Sequence, residues 1–75
     1  LTNFMDAYFI HYKPTNSSNE LPASIEKELV ANGVKIDYEC SESPTVIVLI
    51  PDEKIDIIKS LEGIVEVDII PEDLT

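Results

Sequence analysis

Thr45-Val-Ile-Val-Leu-Ile50 decides the fold. All but Leu49 are β-branched, and six residues are too few for an independent helix, so the run predicts a strand. No polar residue interrupts it after Thr45, which predicts a central strand covered on both faces. Ser41-Glu-Ser-Pro44 before it reads as a turn. Val34 to Cys40 alternates, with Val34, Ile36, Tyr38 and Cys40 expected inward and Lys35, Asp37 and Glu39 outward. Asn32-Gly33 is a helix stop. The helix it closes runs from Leu21 or Pro22, with Leu21, Ile25 and Leu29 as its apolar stripe and Val30 beside them. Pro14 to Glu20 is a polar loop, and Asp6 to Lys13 is the first strand. There Tyr8, Ile10 and Tyr12 share one face, and Ala7, Phe9 and His11 share the other.

Downstream, Pro51-Asp52 opens a second helix with Asp52 as the expected N-cap and Ile55, Ile58 and Leu61 as its inward stripe. Gly63 ends it. Ile64 to Ile70 is the last strand, with Val65, Val67 and Ile69 on one side and Ile64, Glu66, Asp68 and Ile70 on the other. Pro71 stops sheet pairing because it has no N–H. The order strand, helix, strand, strand, helix, strand predicts an α+β, ferredoxin-like βαββαβ domain: a four-stranded antiparallel sheet with two helices on one face. Residues 1–75 form a single domain, with 1–5 and 71–75 as extended tails.

The charge balance narrows the partners. Fifteen acids against five lysines, with no arginine, give a formal charge of −10. Nucleic-acid recognition neutralises phosphates with Lys and Arg, so the composition speaks against nucleic acid and anionic membrane. An acidic domain suits a basic partner or the positive ends of helices. No apolar run approaches the roughly 20 residues of a membrane span. Cys40 has no second cysteine to pair with, and one Cys with one His makes a zinc site improbable, so no metal or cofactor is expected. Cys40 reads as a small apolar residue at a strand end. His11 reads as a solvent-facing strand residue with no nucleophile beside it, and no catalytic constellation is evident. Asn16-Ser17-Ser18 is a glycosylation sequon in a polar loop. A chain that opens on Leu1 rather than Met is expected to be a processed or excised piece.

Four stretches resemble the propeptide domains of subtilisin-like serine proteases, the inhibitor I9 family. They are Tyr8-Phe-Ile-His-Tyr-Lys13, Asn32-Gly-Val34 with Asp37-Tyr38, Leu49-Ile-Pro51, and Leu61-Glu-Gly-Ile-Val-Glu-Val-Asp68. The resemblance runs from about Asp6 to Asp73. It implies a non-enzymatic domain that chaperones and tightly inhibits a subtilisin-like protease, in the secretory pathway or outside the cell. The open sheet face would press onto two protease helices, and acids of the last strand would cap their N-termini. Matching Val65-Glu-Val-Asp68 to the family's valine-acid close gives Glu66 and Asp68 as that pair; counting from Gly63 gives Asp68 and Ile70. The tail, Glu72, Asp73, Leu74 and Thr75, would lie in the substrate cleft as an added strand. The chain departs from the family at Pro44-Thr45, where a glycine and an aromatic are usual, and at Glu72, where an apolar anchor is usual. A stand-alone inhibitor of the same family, or a ferredoxin-like regulatory or assembly module, would share the fold.

Overall fold

The computed structural model describes residues 4–71. Its elements are β1 (Met5–Tyr12), α1 (Ala23–Ala31), β2 (Lys35–Glu39), β3 (Thr45–Pro51), a 3-10 turn (Asp52–Lys54), α2 (Ile55–Lys59) and β4 (Ile64–Ile69). The four strands form one antiparallel sheet in the order β2-β3-β1-β4. This is the expected α+β, ferredoxin-like arrangement. The two strands that are apolar on both faces, β1 and β3, are the two central ones, because only there is each strand flanked by a partner on both edges.

The core lies between the sheet and the helices. Tyr8, Ile10 and Tyr12 of β1 and Val46, Val48 and Ile50 of β3 meet Ile25 and Leu29 of α1 and Ile58 of α2. Ile10, Leu29, Val46, Val48, Ile50 and Ile58 are fully buried. The stripe expected for α1 holds for Leu21, Ile25 and Leu29, whereas Val30 turns outward and is exposed. Tyr12 carries its hydroxyl into this layer and donates to the Asn19 carbonyl at 2.6 Å. Burial raises its pKa, and the charges of Glu39 and Cys40 add to that.

Both helix ends are closed by backbone. The Pro22 carbonyl accepts from the N–H groups of Ile25 and Glu26, and no side chain caps α1. At the other end, Gly33 N–H bonds to Val30 O and Val34 N–H to Leu29 O, which is the Schellman pattern. It needs the φ of +78° that Gly33 adopts. The second helix is shorter than its apolar stripe. Asp52 does not cap it with its side chain; the segment enters through the 3-10 turn, and Asp52 N–H bonds to Phe4 O. The inward residues are as expected, with Ile58 buried and Ile55 and Leu61 packed against the core.

Gly63 is more constrained than Gly33. Its φ is +93°, and a Cβ there would lie 2.9 Å from Ile25 Cδ1, whereas at Gly33 the nearest contact would be Pro51 Cγ at 3.7 Å. Gly63→Ala should therefore cost about 1–3 kcal/mol, from the left-handed backbone and a displaced core isoleucine. Gly33→Ala should cost about 1–2 kcal/mol from backbone alone. Urea denaturation of the two variants checks the order; equal losses would show that Ile25 yields freely.

Two bulges reset the strand faces. The β2–β3 register shifts between Ile36 and Tyr38, leaving Asp37 as the extra residue. Tyr38 therefore lies opposite Ile47 on the open face, not inward as its alternation implied, and it is 60% exposed. Glu39 lies opposite Val46 on the helix side, where its Oε1 accepts from Leu21 N–H at 3.5 Å. The β1–β4 register shifts at Tyr12, with Val65 as the extra residue. Ile64 then packs on the core beside Val67, rather than on the open face with Glu66 and Asp68. Val65, expected beside Val67, is exposed.

Candidate functional site

The sheet face away from the helices is built from β1 residues Ala7, Phe9 and His11 and their cross-strand neighbours. One row crosses all four strands: Tyr38, Ile47, Phe9 and Asp68. A second contains Lys35, Leu49 and Ala7, with Ile70 N–H bonding to Ala7 O at 2.9 Å beyond it. A third contains Thr45, His11 and Glu66. The middle of the face is apolar and the β4 side is acidic. Exposed apolar surface rimmed by charge is the usual form of an interaction site.

The acids predicted from sequence are brought together here. Asp68 lies opposite Phe9, and Glu66 lies opposite His11, so both stand on the open face one row apart. Asp68 is half-exposed and Glu66 exposed. Ile70 is partly buried just past the end of β4. The expected tail residues Glu72, Asp73, Leu74 and Thr75 lie outside the described residues.

His11 faces the open side of the sheet, 38% exposed as a solvent-facing strand residue, but it has partners that the sequence did not reveal. Its Nδ1 lies 3.1 Å from Thr45 Oγ1, and its Nε2 lies 3.2 Å from Asp68 Oδ2. Ser43 Oγ in turn donates to Thr45 Oγ1 at 3.1 Å. The Phe9 ring stacks loosely against the imidazole, with centroids 6.4 Å apart. A hydroxyl–imidazole–carboxylate chain is thus present, although no such arrangement was foreseen. Thr45 is only 6% exposed, which leaves a substrate carbonyl little surface by which to reach its hydroxyl.

Elsewhere the surface offers less. A recess of about 530 Å³ between the β1–α1 connection and the α2–β4 turn is lined by Lys13, Glu62 and small or apolar residues. Among the described residues no cluster of three or more His, Cys, Asp or Glu side chains could hold a metal ion, and no helix is long and apolar enough to cross a membrane. Asn16 of the sequon occupies an exposed tight turn with Ser17, both at positive φ, closed by Ser18 N–H to Thr15 O.

A second acidic pair lies at the start of β1. Partial desolvation pushes the Asp52 carboxyl above its ordinary value, and repulsion from Asp6, a hydrogen bond with Asp6 and the charge of Glu53 push the same way. The folded chain thus holds this proton more tightly than the unfolded chain. The resulting stability is fully present below the unfolded pKa and is lost as pH rises through the raised one. Asp52→Asn should therefore raise the melting temperature at pH 7 and leave it nearly unchanged at pH 3. A loss at pH 7 would mean that the charge at the start of the 3-10 turn outweighs the repulsion.

The fold and face define a small α+β domain with an open, acid-edged sheet surface. No known protein-family model matches the chain, and neither curated proteins nor solved structures give a match.

Proposed function

We propose that this domain is the propeptide of a subtilisin-like serine protease, acting as its intramolecular chaperone and tight-binding inhibitor. The observation that carries the reading is the open face itself, where an apolar middle ends on Glu66 and Asp68 at one edge strand. Helix N-termini present unsatisfied N–H groups and partial positive charge, and an acid pair held on a flat sheet is matched to them. The resemblance in four ordered stretches supplies the partner class, and with it a secretory setting.

Size argues for a second contact. Four strands span roughly 14 Å across, and seven residues of β1 or β3 run about 23 Å, so the face covers roughly 300 Å² in plan. A stable interface buries about 800 Å² per partner. Tight inhibition therefore calls for more than the sheet, and the segment after Pro71 is the natural addition, lying as an extended strand in the substrate cleft.

Titrating the chain into a panel of subtilisin-like proteases, with a peptide substrate as reporter, tests the reading. Stoichiometric or nanomolar inhibition is expected for at least one member. Absence of inhibition across the panel would overturn it and favour a regulatory or assembly module.

A further inference from the structure

We propose that His11 is a positioning residue of the open face: it holds the Asp68 carboxylate in place and, through its own charge state, sets how much negative charge that face presents. The inference deepens the reading above and rests on it for the partner, but its first test needs no partner.

The hydrogen-bond chain runs in one direction. Asp68 Oδ2 can only accept when ionised, so the His11 Nε2 facing it at 3.2 Å must carry the hydrogen. A neutral ring then has a bare Nδ1, which accepts from Thr45 Oγ1–H at 3.1 Å. Thr45 Oγ1 accepts in turn from Ser43 Oγ–H. Each donor has an acceptor, and the tautomer is set by partners on both sides. Thr45 is buried and fixed in a central strand, so the ring is anchored from the inside of the sheet outward. One lone pair of Asp68 Oδ2 is thereby engaged, which leaves Oδ1 and the other Oδ2 lone pair for an incoming N–H.

The pair is not there chiefly for stability. The two side chains are 38% and 48% exposed, and an ion pair so solvated contributes about 0–1 kcal/mol. Its effect on charge is larger in proportion. Protonated His11 would place a positive charge beside the acid meant to meet a positive helix end. The other groups facing the ring are Glu66, opposite on β4, and Thr45, opposite on β3, with Cys40 beyond it bonded through its N–H to Thr45 O. The next charge along the chain, just past the end of β1, is the exposed Lys13. Among the described residues the other cation in these rows is Lys35, on the opposite edge strand β2, with β3 and β1 between it and Asp68.

The first test follows the side-chain carboxyl carbons of the free chain by NMR from pH 5 to 8. The Asp68 carbon should track the imidazole titration more strongly than the Glu66 carbon, and Thr45→Val should weaken that tracking. His11→Gln should abolish it while the backbone spectrum stays native. An Asp68 signal indifferent to the imidazole would overturn the proposal whatever the partner proves to be. The second test measures inhibition of a responsive protease at pH 7.5 and 5.5, corrected for the protease's own profile with His11→Gln. Relative to the variant, wild-type affinity should fall by up to about 5-fold at the lower pH. Parallel profiles would overturn the proposal too. Asp68 tracking without inhibition of any protease would overturn only the protease reading and uphold the positioning role.

Discussion

Ile10→Ala is expected to cost the chain a large share of its stability, about 2–5 kcal/mol. Ile10 is fully buried at the centre of β1, between Val46 of β3 and Val67 of β4, and faces the helices. Truncating a core isoleucine costs about 2–5 kcal/mol, through lost transfer energy and the cavity left behind. A chain of 75 residues has about 4–11 kcal/mol in all. A loss in the upper part of the range therefore removes between about two fifths and all of that stability. Phe9→Ala, one residue away on the open face, should cost markedly less, because Phe9 is only partly buried. Circular dichroism through a urea titration reads both. Equal losses would mean that the open face contributes to the core as strongly as the helix face, against the burial pattern described above.

That contrast rests on a part of the fold that was legible in the sequence. Tyr8, Ile10 and Tyr12 alternate with Ala7, Phe9 and His11 without interruption, and β1 carries that alternation into the structure unchanged. The Thr45–Ile50 run was equally plain, because five β-branched residues among six leave little choice but a strand. The bulges were not legible. An extra residue at Asp37 or Val65 shifts the phase of everything beyond it, yet the sequence of apolar and polar residues still looks periodic. Tyr38, Glu39 and Ile64 were assigned to the wrong faces for that reason alone. Asp68 and Glu66 escaped the error because both lie beyond the β4 bulge and keep their phase relative to each other. Register also hid the hydrogen-bond chain. Thr45 and Asp68 lie 34 and 57 positions from His11, and nothing local in the sequence links them. Only the order β2-β3-β1-β4 places β1 between the two strands that supply them.

The largest expected effect on binding is at Asp68. Asp68→Lys should weaken inhibition of a responsive protease by about 1–3 kcal/mol, or roughly 5- to 150-fold, through loss of a charge-assisted hydrogen bond and its replacement by a like-charge approach to a helix N-terminus. The fold should survive, since the His11–Asp68 contact is half-solvated and adds little to stability. The substitution also changes the net charge by two units on a chain that carries −10, so part of any loss could come from the general field rather than from a specific contact. Glu26→Lys makes the same change on α1, in the layer behind the sheet. At physiological salt the Debye length is about 8 Å, so a charge on the far layer is largely screened from a partner on the open face. Inhibition constants for the two variants, measured at 0.15 M and again at 0.5 M salt, separate the contributions. A specific cap predicts a large loss for Asp68→Lys that persists at the higher salt and a small, salt-sensitive one for Glu26→Lys. Equal losses that vanish together in salt would reduce Asp68 to one acid among fifteen and remove the open face from the interface.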